Sequence, residues 1–213
     1  TQLLFKLYSL YRERLGDRRV DLSLLQRAAH ELLMSHEAPA RRFQHVIVDE
    51  YQDTNAIQER IFFRLASFSK NICVVGDDDQ ALYRFRGATV ENFVEFPTRC
   101  TEALGTKPTR IELGINYRSR AAIVSAYSAF IAQMNWTRPG GGQFRLHDKG
   151  VVAHNSDAST AVIATTPSRP AQLVEEVAGL VKKLIDDGVV SDPNQIAFLF
   201  PTLKSSIVEK YEE

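Results

Sequence analysis

The run that most limits what this chain can fold into is His45 to Asn55, HVIVDEYQDTN. Its β-branched apolar residues Val46, Ile47 and Val48 predict a short buried strand, and the strand ends in two adjacent carboxylates, Asp49 and Glu50. At the carboxyl end of a parallel strand the backbone is already leaving the sheet, so both acids can reach a crevice there. Asn55, with Gln58 three residues on, predicts a capping-box helix start, and Ile57, Ile61, Phe62 and Leu65 supply that helix with an apolar stripe. The predicted unit is strand, acidic turn, helix. An aspartate at such a strand end suits Mg²⁺, a hard cation that takes oxygen ligands and keeps much of its water, and a neighbouring carboxylate suits orienting or deprotonating an attacking water. Asp-Glu alone fits a strand that ends in a solvated acidic turn equally well.

The pattern returns twenty residues later. Asn71-Ile72-Cys73-Val74-Val75 predicts a second short buried strand, followed by Gly76-Asp77-Asp78-Asp79-Gln80 and then Ala81-Leu82-Tyr83-Arg84-Phe85-Arg86-Gly87-Ala88. Further on stands Leu113-Gly114-Ile115-Asn116-Tyr117-Arg118-Ser119. Gln80 can donate and accept hydrogen bonds at once, as a group facing both a phosphate oxygen and a water must. On a regular strand Tyr83 and Phe85 would share one face, suited to stacking bases, with Arg84 and Arg86 on the other.

Taken in order, DEYQDTN, VVGDDDQALYRFRGA and LGINYRS resemble motifs II, III and IV of the UvrD/Rep-like superfamily 1 DNA helicases. The resemblance is tight from Val46 to Ser119 and looser at Val20 to Leu33 and Leu173 to Phe200. It implies an α/β fold, a RecA-like P-loop NTPase motor with parallel sheets flanked by helices, present here as parts of two lobes: 1–105 from the first, with its preceding helices, and 106–213 from the start of the second. It also implies ATP and Mg²⁺ as cofactors, single-stranded DNA and duplex junctions as partners, and movement in the three-prime to five-prime direction. The residue roles carried over are Asp49 and Glu50 on the metal, Asp49 also on the nucleotide, and Glu50 on the attacking water. Gln80 would sense the terminal phosphate, Tyr117 lie on the base, and Arg118 act as an arginine finger from the second lobe. Arg86 would link the acidic turn to the nucleotide, and an ion pair with Asp77 or Asp79 would suit it equally. Tyr83 and Phe85 would stack DNA bases; Phe85 stands where tryptophan is frequent and Ala81 where serine is usual.

Around these motifs, helices are expected at 1–15, at 21–34 with Leu22, Leu25, Ala29, Leu32 and Leu33 toward the core, and at 90–96, capped by Thr89 and stopped by Pro97. Residues 98–109 read as a linker between lobes, 110–113 as the next strand, and 119–133 as a helix with Ile123, Tyr127, Phe130, Ile131 and Met134 buried. A strand at 160–165, a helix at 171–187 stopped by Gly188, a strand at 196–200 and a helix at 203–211 complete the reading, the strand-helix-strand order implying a parallel sheet.

Composition adds limits. With 213 residues, 44% of them apolar, the chain can bury one sizeable core or two small ones. Twenty-six basic and 26 acidic side chains give no bulk charge for nucleic acid, so attraction must be local. The segment from Arg110 to Arg145, with five arginines and one acid, is the expected basic surface. Cys73 and Cys100 have no metal-ligand spacing and read as reduced structural thiols of a cytoplasmic protein, and no apolar run approaches the 18 or so residues of a membrane span.

No Gly-x-x-x-x-Gly-Lys-Ser/Thr occurs in the chain, and Gly105-Thr106-Lys107 is followed by Pro108 where a hydroxyl is needed. The expectation is therefore an interior piece of a longer motor, inactive on ATP by itself. The alternative is a non-catalytic, helicase-derived DNA-binding or scaffold module.

Overall fold

A computed structural model of the chain describes residues 2–16, 19–82, 89–146, 149–163, 170–200 and 204. It is a mixed α/β structure that divides into two compact units, Thr1–Ser159 and Thr160–Glu213. The expected lobe boundary between residues 105 and 106 falls inside the first unit.

The first unit begins with α1 (Gln2–Leu15) and α2 (Leu22–Ser35). Asp21 caps α2, its carboxylate accepting from the Leu24 amide at 2.7 Å and satisfying an otherwise orphan N–H. Of the five residues expected to bury, only Leu33 does so; Leu22, Leu25 and Leu32 are exposed. Then come β1 (Val46–Val48), α3 (Ala56–Ala66) and β2 (Ile72–Val74). β1 and β2 pair in parallel with Ile47 opposite Cys73, as the strand-helix-strand order requires. The capping box of α3 forms as expected, with the Asn55 side chain accepting from the Ile57 and Gln58 amides and Gln58 Oε1 accepting from the Asn55 amide.

One expectation for this sheet is corrected. Its strands are buried on one face only: Val46 is covered, whereas Ile47 is 74% exposed and Cys73 is exposed. The covered face packs into a core of Val46, Tyr51, Ala66, Phe96, Cys100 and Leu104, with Phe62, Phe63 and Phe93 against it.

Beyond residue 89 the boundaries move. α4 (Val90–Val94) follows Thr89, which makes no side-chain cap, and Pro97 opens a further helix, α5 (Phe96–Leu104), instead of ending one. Proline has no N–H to lose in the first turn and its fixed φ suits the helix, so 98–104 is helix where a linker was expected. Gly105, at φ +70°, ends α5. The next strand is not 110–113, where Ile111 and Leu113 are more than 80% exposed, but β3 (Ile115–Arg120). It pairs in parallel with β4 (Val152–Asn155), which sequence did not indicate. Between them runs α6 (Ala121–Ala132), whose buried residue is Val124; Phe130 and Met134, expected inside, are exposed.

In the second unit α7 (Pro170–Asp186) stands where a helix was expected, and Gly188 at φ +67° follows it. Residues 160–163 and 196–200 are not strands, so the expected second parallel sheet is not formed among the described residues. The expected strand residues Thr165 and its neighbour, and all of the helix at 203–211 except Lys204, lie outside the described residues. No described helix is long and apolar enough to cross a membrane.

Candidate functional site: two joined acidic turns

At the carboxyl end of β1 the backbone turns on Glu50, a non-glycine residue in the left-handed region at φ 49°, ψ 44°. That conformation costs on the order of 1–2 kcal/mol, so the surroundings must enforce it. Asp49 Oδ1 accepts from the Glu50 amide at 2.9 Å, and the Glu50 carbonyl accepts from the Asp53 amide at 3.0 Å. Tyr51, fully buried, donates its amide to the Val75 carbonyl at 3.0 Å. The sharp turn thus drives Tyr51 inward while Asp49 and Glu50 stay exposed beyond the strand end.

Tyr51 is anchored deeper still. Its hydroxyl donates to Glu59 Oε1 at 3.1 Å, and Arg99 donates to Glu59 Oε2 at 3.0 Å and to Glu95. Burial, followed by the Glu59 charge, pushes the Tyr51 hydroxyl far above its ordinary range. Burial likewise raises Glu59, against the lowering pull of Arg99 and Tyr51. One oxygen of Asp53 is buried without a hydrogen-bond partner, and burial together with the nearby Glu50 raises that carboxyl too.

The second acidic turn lies beside the first because β2 lies beside β1. Asp77 Oδ1 accepts from the Asp79 amide, and Gln80 Nε2 donates to Asp77 Oδ2 at 2.9 Å. Gln52, only 1% exposed, spans the two turns: its Nε2 donates to Glu50 Oε2 at 2.6 Å, and its Oε1 accepts from the Asp77 amide at 3.1 Å. Sequence reasoning passed over Gln52, although it lies within the first motif.

Asp77, Asp78 and Asp79 present oxygens within 4.8 Å of one another, a spacing that suits a cation. The cation there is a side chain. Lys149 Nζ lies 2.7, 2.5 and 3.0 Å from the three carboxylates, and Arg145 donates twice to Asp79. Burial opposes the Lys149 charge, but the three acids outweigh it and raise the ammonium above its ordinary value. Burial also opposes ionisation of Asp77, and hydrogen bonds from Lys149 and Gln80 overcome it, leaving that carboxyl below its ordinary value. Two cationic side chains already occupy the donor set at this turn, which therefore does not fit a further metal. Asp49 and Glu50 do fit one: they are exposed, hard oxygen donors with no cationic partner among the described residues, as a hydrated Mg²⁺ needs.

Tyr117 and Arg118 sit in an irregularity of β3 between Asn116 and Arg120. Asn116 Oδ1 accepts from the amides of Arg118 at 3.0 Å and Ser119 at 2.8 Å, which draws those groups out of the ladder and leaves both side chains exposed. Tyr117 lies 4.8 Å from the His154 ring. Neither Asp49 nor Glu50 is bonded to Arg118. Tyr83, Phe85 and Arg86 lie outside the described residues.

The expected basic surface is largely cancelled. Arg110 pairs with Glu112, Arg120 with Asp157, Arg138 with Glu95 and Arg145 with Asp79, and Arg118 alone of the five has no acidic partner among the described residues. Three of these acids stand outside the segment, where counting charge along the sequence does not find them.

Residues 1–101 match the UvrD/REP helicase N-terminal domain, a span that takes in both acidic turns and ends before Asn116. The chain is 39% identical over 119 residues to the ATP-dependent DNA helicase PcrA of Staphylococcus aureus, covering 56% of this chain and 16% of PcrA. It is 39% identical over 136 residues to DNA helicase II of Escherichia coli, covering 61% and 18%, and 44% identical over 90 residues to a probable DNA helicase II homolog of Rickettsia conorii, covering 42% and 13%. The chain thus spans less than a fifth of the length of these curated relatives. Over residues 1–101 the chain is thus similar to the N-terminal domain of UvrD/REP helicases.

Proposed function

We propose that this chain is part of an ATP-dependent DNA helicase or translocase with a RecA-like motor, carrying motifs II, III and IV and parts of two lobes. The observation that carries the reading is the pair of acidic turns at the carboxyl ends of two parallel strands, where open α/β sheets bind their ligands. Asp49 and Glu50 hold Mg²⁺, which when bound supplies charge neutralisation to the phosphates of ATP. Glu50 orients the attacking water and accepts its proton, Gln80 faces the terminal phosphate, and Arg118 offers a guanidinium to the charge that develops on it. Tyr117 stacks on the base, Arg86 ties the second turn to the nucleotide, and Tyr83 with Phe85 stack on single-stranded DNA near a duplex junction. Residues 1–105 and 106–213 belong to successive lobes, and the resemblance gives a three-prime to five-prime direction.

One observation favours the non-catalytic reading for this stretch by itself: it contains no phosphate-binding loop sequence. The two readings meet in one expectation. The chain alone binds single-stranded DNA but releases no phosphate from MgATP. Fluorescence anisotropy with oligo(dT) and a phosphate-release assay test both halves. Phe85→Ala weakens binding by roughly 1–3 kcal/mol, the worth of one stacked base. Unchanged affinity removes that ring from the DNA path, and magnesium-dependent turnover that disappears in Glu50→Gln overturns the inactivity of the stretch alone.

A further inference from the structure

The two turns are not merely neighbours. A continuous chain of hydrogen bonds runs from Glu50 through Gln52 and Asp77 to Gln80: Gln52 Nε2 donates to Glu50 Oε2 at 2.6 Å, the Asp77 amide donates to Gln52 Oε1 at 3.1 Å, and Gln80 Nε2 donates to Asp77 Oδ2 at 2.9 Å. Each link has one sense. The Asp77 amide can only donate, so it fixes the Gln52 oxygen toward the second turn and the Gln52 amino group toward Glu50. Gln52 is 1% exposed, with little room to change rotamer. Gly76 makes the close approach possible, because a Cβ there would stand 2.5 Å from Gln52 Oε1 and 3.0 Å from the Phe93 ring. Neither strand pairing nor core packing requires a polar side chain at this place. A buried amide that satisfies one group from each turn keeps a fixed geometry between them.

We propose that Gln52 is a positioning residue that holds Glu50 in register with Asp77 and Gln80, so that a change at the first turn is passed to the second. This rests on the reading of Glu50 and Gln80 as partners at one nucleotide. Its physical content, the coupling itself, is measurable without a nucleotide.

The test is a double-mutant comparison by ¹⁵N–¹H spectroscopy of the whole chain, reading the Asp77 backbone amide and the Gln80 side-chain amide. Glu50→Ala is expected to shift both resonances in the native background and to leave them in place once Gln52→Met has been introduced. Gly76→Ala, which displaces the Gln52 oxygen while retaining the residue, is expected to block transmission in the same way. This second variant serves if Gln52→Met does not fold. Resonances that ignore Glu50→Ala in the native background, or that respond equally in all three backgrounds, overturn the proposal. A merely structural Gln52 would lower thermal stability and leave the response to Glu50→Ala intact. Coupling through Gln52 in a chain that proves to bind neither nucleotide nor DNA would sink the motor reading and leave this inference standing.

Discussion

Replacing Arg99 by methionine tests how the first turn is anchored. The guanidinium is 33% exposed, whereas the Glu59 side chain it serves is 7% exposed, with one oxygen on Arg99 and the other on the Tyr51 hydroxyl. Arg99→Met keeps the aliphatic length and removes the charge, stranding one carboxylate oxygen. Breaking a buried ion pair costs about 3–5 kcal/mol, but the carboxyl has an escape. It can take up a proton, which at pH 7 costs about 3.7 kcal/mol from an ordinary glutamate value near 4.3, and at pH 5.5 about 1.6 kcal/mol. Those figures are ceilings, because burial already raises Glu59 in the native protein. The contact with Glu95, an exposed pair, adds under about 1 kcal/mol. The expected loss is about 2–3 kcal/mol at pH 7, or roughly 5–10 °C in melting temperature for a unit of this size.

The sign of the pH dependence follows from the raised carboxyl. Stability associated with Glu59 is fully present below the ordinary glutamate range and is lost as pH rises through its folded value. Without Arg99, which pulls that value down, the loss on raising pH deepens. The deficit of Arg99→Met should therefore shrink from pH 7 to pH 5.5, and adding Glu59→Gln should recover most of it. Thermal unfolding followed by circular dichroism at both pH values measures this. A deficit that is the same at both, or below about 0.5 kcal/mol at pH 7, would refute the reasoning.

Two further substitutions probe the frame around the site. Asn55→Ala removes the side-chain oxygen that accepts from the Ile57 and Gln58 amides, together with the hydrogen bond to Gln26, and leaves the backbone half of the capping box in place; urea denaturation should show a loss of about 1 kcal/mol with little change in slope. Lys149→Met takes the ammonium from among Asp77, Asp78 and Asp79 and should cost about 3 kcal/mol at pH 7. Because the depressed Asp77 carboxyl contributes stability that is present above the ordinary aspartate range and lost as pH falls through its folded value, the variant should also lose part of its acid-side decline in a pH series of urea midpoints.

What could be read from the sequence was what short-range chemistry decides. The apolar runs that mark the strands at 46–48 and 72–74 and the Asn55–Gln58 box are each signalled by a few consecutive residues, and all formed. Pro97 shows the limit of a local rule, since proline ends one helix and opens another by the same loss of an N–H; Gly105, eight residues on, was the signal for the second outcome. At 110–113 the apolar alternation suggested a strand, but strand character went to the more polar 115–120 because β4 pairs there. No pattern within either segment encodes that choice. Lys149 on the second turn is equally remote, 70 residues from Asp79, and Gln52 is recognisable as a bridge only once β2 has brought Asp77 alongside it.

The half-covered sheet leaves the chain's two cysteines in opposite chemical situations. Cys100 is sealed in the core with its thiol raised by burial, while Cys73 looks outward beside Ile47. A maleimide applied to the native protein should tag one and spare the other. Counting labels by mass then reports directly on whether another polypeptide surface has come to rest over the open side of the strands.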